Sequence, residues 1–193
     1  MRTSTRRSGT ADRTLDVAER LVQVRGFNGF SYADVARELE ITKASLHYHF
    51  SGKAELGEAL ISRYAVRFAT ALTEIDREVT GAGAKLEAYV GIYGAVLSEG
   101  RMCLCGILAA EYETLPRPMR EAVTGFFTAN EAWLIRTLSQ GRSDGSLSVN
   151  GSLADLAQMI LSGLEGAMLL SRTQGKPELF HSAANRLLNT LNA

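Results

Sequence analysis

Lys43, Ser45, His47, Tyr48 and His49 fall within seven residues, spaced by Ala44 and Leu46. An ammonium, a hydroxyl, two imidazoles and a phenol on so short a segment suit non-covalent contact with phosphates and base edges. On that reading Lys43, Tyr48, His49 and the nearby Lys53 are phosphate-contact candidates, and Ser45 and His47 are base readers or supporting contacts. Bond-making chemistry has no comparable support. The chain shows no metal-spaced His/Cys/Asp set, no glycine-rich phosphate loop and no nucleophile motif. The sequence therefore implies neither an enzyme nor a bound cofactor.

The elements that must carry these side chains are readable around them. Ser31 is placed to N-cap a helix over Tyr32 to Leu39, whose Val35, Ala36 and Leu39 share one apolar face. Glu40 and Ile41 make a turn, with Ile41 expected to plug the space between helices. Thr42 caps a second helix beginning Lys43-Ala44-Ser45. Leu46 and Phe50, one turn apart, point inward and leave the polar residues on the other faces. A preceding helix, Thr14 to Val24, has Leu15, Val17, Ala18, Leu21 and Val22 as its apolar set and stops at Gly26. Beyond Phe50 come Ser51, Gly52 and Lys53, then Ala54-Glu55-Leu56 at the start of a long helix.

Three helices, two caps and the spacing from Leu46-His47-Tyr48-His49-Phe50 to Lys53 closely resemble the DNA-binding domain of TetR-type transcriptional regulators. The matched stretch, Thr14 to Leu60, is roughly a quarter of the 193 residues. It departs from the family's pattern at His47, where Tyr is more frequent, and at Ala44, where Gly is common. The resemblance implies an all-α protein of about nine helices. A helix-turn-helix domain with a basic arm would span residues 1–52, and a helical effector-binding and dimerisation domain residues 53–193. It also implies a homodimeric repressor, released from a palindromic operator in double-stranded DNA by a small-molecule effector. The DNA-facing set is then Ser31, Tyr32, Thr42, Lys43, Ala44, Ser45, His47, Tyr48, His49 and Lys53.

Composition agrees with a helical protein: 46% of residues are hydrophobic, only three are proline, and strand-like alternation is missing. The formal net charge is zero, which by itself would not point to a DNA binder. Charge is spread unevenly, however. Residues 1–13 carry Arg2, Arg6, Arg7 and Arg13 against Asp12, for a net of +3, as either a solvated terminus or an arm reaching phosphates or the minor groove. The apolar stretch Leu156 to Leu170 is interrupted by Gln158, Ser162 and Glu165, and no export signal is visible. With no disulfide framework in its two cysteines, the protein is expected to be cytoplasmic, without a membrane partner.

Further helices are expected over Lys53–Val79, Lys85–Ser98, Met102–Tyr112, Met119–Leu138, Ser152–Thr173 and Pro177–Leu191, with a loop from Gly141 to Gly151. The last two carry a broad apolar surface with small residues Ser162, Gly163, Gly166 and Ala167. The resemblance makes this pair the dimer contact, in a four-helix bundle. Tyr89, Tyr93, Met102, Cys103, Cys105, Tyr112, Phe126, Phe127, Trp133 and Met168 form a set that either lines an apolar pocket or packs as core. Glu111 and Glu165 each interrupt an apolar face, as ligand-facing carboxylates, internal partners of an arginine, or solvated edges. Cys103 and Cys105, following Arg101 at a helix start, raise an alternative: a repressor that senses electrophiles or oxidants through a thiolate, Cys103 being the nearer to the helix N-terminus. Both are equally readable as buried hydrophobes.

Overall fold

The computed structural model describes the backbone of residues 3–191 and the side chains of residues 9–191. Arg2 and the side chains of Arg6 and Arg7, expected in a basic arm, lie outside the described residues. Among those described are nine α-helices: α1 (Thr3–Arg25), α2 (Tyr32–Leu39), α3 (Lys43–His49), α4 (Lys53–Glu78), α5 (Ala82–Ser98), α6 (Leu104–Ala110), α7 (Arg117–Asp144), α8 (Leu153–Gln174) and α9 (Glu178–Asn189). A single 3₁₀ turn, Tyr112–Thr114, follows α6. The all-α expectation holds.

Packing gathers the chain into two compact units, each discontinuous in sequence. The first comprises residues 1–66 and 104–124, and the second residues 67–103 and 125–193. In the first, α1 packs against α2, α3 and α6. Its core is Leu15, Ala18, Leu21, Val22, Phe27, Phe30, Val35, Leu39, Leu46, Phe50, Leu56, Leu108 and Met119. Gly57 on α4 sits tightly there, since a Cβ would lie 2.5 Å from the Met119 side chain and 2.9 Å from the Phe27 ring. Arg63, further along α4, reaches back to α1 and donates to Asp16 (2.7 Å) and to the buried Glu19 (2.9 Å).

In the second unit α8 and α9 form a closely packed pair, and both meet α5. Gly94 on α5 is the notch for α9, where a Cβ would stand 2.9 Å from the His181 ring. The unit's centre is aromatic. Phe68 meets Tyr89, Tyr93 and Phe126 edge-on at 5.1–6.0 Å, and Tyr89 stacks on Trp133 at 5.3 Å.

Helix boundaries follow local chemistry, and the departures from expectation have local reasons. Ser152 caps α8 by accepting from Asp155 N, and Gly175 ends it in the left-handed conformation. α7 begins two residues earlier than expected because Pro118 lies in its first turn, where a missing N–H has no cost. It also runs six residues further, into the stretch read as a loop. Gly141 looks like a breaker in the sequence, yet it stays helical and makes room for Leu147, which a Cβ would approach to 2.4 Å. α6 is shorter than expected, so Met102 and Cys103 precede the helix. α8 is long and apolar enough to cross a membrane by length and composition, but Ala157, Ile160, Leu161, Leu164, Ala167 and Met168 are buried within the second unit.

Between α2 and α3 the chain turns at Glu40, a left-handed residue with φ 55° and ψ 40°, and Ile41 N donates to Ala36 O at 3.0 Å. A residue with a Cβ is strained there, whereas glycine is not. Glu40→Gly is therefore expected to stabilise the protein by about 0.5–1 kcal/mol, read as a raised urea midpoint at unchanged slope.

Candidate nucleic-acid interface and a cavity of the second unit

The segment from Ser31 to Phe50 is built by two caps and two buried side chains. Ser31 donates from its backbone N (2.8 Å) and from Oγ (2.7 Å) to the Asp34 carboxylate. Arg37 adds a third bond at 2.5 Å. Hydrogen bonds from Ser31, then Arg37, hold the Asp34 carboxyl down at a pKa of about 2. Thr42 Oγ1 accepts from Ser45 N at 3.2 Å and starts α3. Leu46 and Phe50 are buried as expected, fixing the rotation of α3, while Ile41 is only half-buried. Lys43, Ala44, His47 and Tyr48 are consequently exposed, and Ser45 and His49 are half-exposed. Tyr48, 62% exposed, packs edge-on against the His49 ring at 5.4 Å.

His47 does not hang free. Its Nδ1 lies 3.1 Å from Ser51 O, and because a carbonyl only accepts, Nδ1 carries the proton; neutral His47 then offers Nε2 as an acceptor. Its ring also meets Tyr32 at 4.9 Å. Tyr32 donates from its hydroxyl to Phe50 O at 3.1 Å, and burial, aided by the Glu55 charge, pushes its pKa up to about 12. Ser51 in turn donates from N and Oγ to Glu55 (2.8 and 2.6 Å), ordering the entry to α4. Tyr32 is thus a brace for the C-terminal end of α3.

Lys53 sits differently from a free phosphate contact. Its Nζ donates to Phe30 O at 2.5 Å and lies 4.6 and 4.4 Å from the Phe27 and Phe30 ring centroids. Burial lowers its pKa, against the opposing pull of Glu111 and Asp34. Glu111 completes the same arrangement. Its carboxylate accepts from Phe27 N (2.6 Å) and Asn28 N (3.2 Å), and Asn28 Nδ2 donates to Thr114 Oγ1 at 2.8 Å. Of the roles open to Glu111 in the sequence, partner of an arginine and solvated edge both give way to a cap on the loop between α1 and α2. Gly26, with φ 83°, admits it: a Cβ there would fall 2.7 Å from Glu111 Oε1.

The set read as a possible pocket lining is mostly core. Tyr89, Tyr93, Met102, Cys103, Cys105, Phe126, Trp133 and Met168 are all buried. Tyr112 and Cys105 belong to the first unit, Cys103 and the rest to the second. Tyr112 instead stands 5.8 Å from the Arg120 guanidinium. Phe127 and Glu165 line a cavity of about 280 Å³, together with Glu131, Gln158, Leu161 and Ser162. In the same unit the tyrosine hydroxyls are satisfied: Tyr89 and Tyr93 share a bond at 3.1 Å, and Tyr89 donates to Asn130 Oδ1 at 3.2 Å. Burial pushes both tyrosine pKa values up. Burial also pushes Glu165 up to about 7, opposed by a hydrogen bond from the Cys103 thiol.

That bond bears on the thiol-sensor alternative. Cys103 is 1% exposed and Cys105 0%. Cys103 lies before α6 and not within its first turn, and it donates to a carboxylate as the protonated thiol. Burial and a neighbouring carboxylate are the opposite of the exposed, electropositive setting a reactive cysteine needs. The structure does not favour this alternative.

A capped, short helix that shows polar side chains outward from a three-helix core defines a helix-turn-helix DNA-binding protein. Comparison with known proteins agrees. Residues 15–60 match the family described as bacterial regulatory proteins, tetR family, and residues 82–187 match the tetracyclin repressor-like C-terminal domain. The chain belongs to the TetR family of transcriptional regulators, which act by binding DNA and not as enzymes. It is 29% identical over 168 residues to the transcriptional regulator AcuR of Cereibacter sphaeroides, covering 82% of this chain and 74% of that protein. Among solved structures, a TetR-family regulator from Agrobacterium tumefaciens superposes with a TM-score of 0.94 at 28% identity, over 97% of this chain and 100% of that one. A TetR regulator from Legionella pneumophila gives 0.87 at 32% identity, over 95% and 97%.

Two measurements check these placements. Glu111→Ala removes both acceptors of the loop N–H groups and should cost about 1–3 kcal/mol in urea unfolding, with Glu111→Gln between it and the wild type. Glu165 is an acid whose folded pKa is raised, from 4.5 to about 7. The native state's preference for the protonated form is fully present below the unfolded pKa and is lost as pH rises through the folded one. Thermal unfolding of Glu165→Gln should therefore match the wild type near about pH 4.5 and exceed it increasingly towards about pH 8.

Proposed function

We propose that the chain is a homodimeric repressor, acting in the cytoplasm on a palindromic operator and released from it by a small-molecule effector. The observation that carries the DNA-reading half is the polar set on α3, with Lys43, His47 and Tyr48 exposed and Ser45 and His49 half-exposed, above the buried Leu46 and Phe50. Lys43, Tyr48 and His49 are assigned to phosphates, and Ser45 and His47 to base edges. Ser31, Thr42 and Ala44 flank them, while Tyr32 and Lys53 brace the segment through Phe50 O and Phe30 O. In functional terms residues 1–52 read DNA, and residues 53–193 bind the effector and the second subunit.

The dimer reading is supported by α8. Met159, Leu169 and Leu170 are large, apolar and 45–64% exposed, and beside them Gly166 has open space where a Cβ would be. Gly163, expected to admit a partner helix, instead faces Leu187 of α9 within the chain, 3.1 Å from its would-be Cβ. Ala167 is also buried internally. The remaining stripe of Met159, Gly166 and Leu170 suits a two-fold helix contact.

The effector reading is supported by the open cavities in the second unit. One, of about 280 Å³, is lined by Phe127 and Glu165; another, of about 380 Å³, lies between α4 and α5 beside Ile75 and Ile92. An effector bound in this unit weakens DNA binding, and reciprocity requires operator DNA to weaken effector binding by the same factor, typically about 5–150-fold.

The test is DNA binding of the purified protein to palindromic duplexes across salt concentrations, together with its mass in solution. The wild type should be a dimer. Lys43→Ala should weaken all duplexes alike and reduce the salt slope by about one per subunit. Leu170→Glu should yield a folded monomer that has lost palindrome binding. A wild-type monomer that binds no palindromic fragment at low salt would overturn the proposal.

A further inference from the structure

The cavity between α7 and α8 has a one-sided charge. Glu131 faces it from α7 and Glu165 from α8, and its other lining residues, Phe127, Gln158, Leu161 and Ser162, include no Lys, Arg or His. Glu131 Oε1 accepts a bond from Gln158 Nε2 at 3.3 Å. Ser162 Oγ donates to Gln158 O at 2.5 Å, which leaves its lone pairs to accept. Glu165 is the unusual member. It lines the cavity, and its Oε1 is buried and has no hydrogen-bond partner within the protein. A buried carboxylate oxygen without a donor is costly, and native structures seldom leave one so unless something else supplies the donor.

A cation bearing N–H groups meets every one of these features. It supplies the missing donor to Oε1, lies between two carboxylates, and finds an aromatic face in Phe127. An anion would meet two like charges, and a purely apolar molecule would leave Oε1 unsatisfied. The volume, about 280 Å³, is small for a ligand cavity and calls for a compact molecule. We propose that this cavity binds a small primary alkylammonium ion, its N–H groups on Glu165 and its alkyl chain along Phe127 and Leu161. The inference rests on reading the second unit as effector-binding and adds the chemical class of the effector.

Calorimetry on the full-length protein without DNA, using n-butylamine, n-butanol and sodium butyrate at neutral pH, separates charge from shape. Butylammonium should bind, with the alcohol and the carboxylate at least tenfold weaker. Glu165→Gln, which keeps the side chain's size and is expected to fold at least as stably as the wild type, should weaken the amine at least tenfold. Ser162→Leu, which fills the cavity without touching the carboxylate, should do the same. Equal amine affinity in wild type and Glu165→Gln, tighter binding of butyrate than of the amine, or no amine binding at about 10 mM would overturn the site. Operator binding is then measured with and without n-butylamine. Glu165-dependent amine binding that leaves DNA affinity unchanged would uphold the cation site and overturn the effector-release reading alone.

Discussion

A carboxylate 84 residues from Phe27 holds the loop between α1 and α2 on which the first unit turns. Where α1 ends at Arg25, the chain must reverse direction and present Phe27 and Phe30 to the core, and the turn leaves the backbone N–H groups of Phe27 and Asn28 facing one way. Glu111 accepts both, and Lys53 closes the other side of the loop by donating to Phe30 O over the two phenyl rings. An ionised acceptor on two backbone donors is stronger than a neutral one, and the low polarity around Phe27 and Phe30 strengthens it further. The loop leads directly into Ser31, the cap of α2. Its geometry therefore propagates through the Ser31–Asp34 bonds to the turn at Glu40 and on to the Thr42 cap of α3.

That chain of constraints explains how a protein of zero formal charge holds polar and basic groups outward on α3. What matters is where a few groups are held. Leu46 and Phe50 fix the rotation of a helix only seven residues long, and such a helix would be marginal alone. Tyr32 and Ser51 then secure its C-terminal end by bonds to Phe50 O and with His47. The polar residues that remain outward are displayed by the packing of their apolar neighbours.

The second unit shows the converse use of polar groups. Around Tyr89 the hydroxyl pair and Asn130 satisfy one another inside an aromatic core, with Asn130 Nδ2 donating to Phe126 O at 2.8 Å, and Trp133 reaches out to Asp76 at 3.0 Å. A satisfied buried network specifies one packing. Glu165 stands apart because one oxygen lacks a partner while burial pushes its pKa up to about 7. The contrast between a completed network and an incomplete neighbour is what singles out the cavity at Phe127 and Glu165 from the rest of the core.

The helix-turn-helix was legible in the sequence because each of its signals acts within about four residues: Ser31 on Asp34, Thr42 on Ser45, and Leu46 with Phe50 on one face. Helical periodicity fixes such relations from spacing alone. The same rules gave the wrong end for α7, since Gly141 reads locally as a breaker and only Leu147 packing against it explains why the helix continues. They also left Glu111, Glu165 and the cysteines open, since what decides each role comes from a distant segment: Phe27 for Glu111, Cys103 for Glu165, and burial for both thiols. Likewise, an aromatic residue at helical spacing is the same letter whether it fills a core or lines a cavity. The sequence by itself determined which residues share a helix face and where helices are capped. Only the tertiary structure decided which charged groups find partners, because side chains far apart in the chain meet through packing that no local spacing encodes.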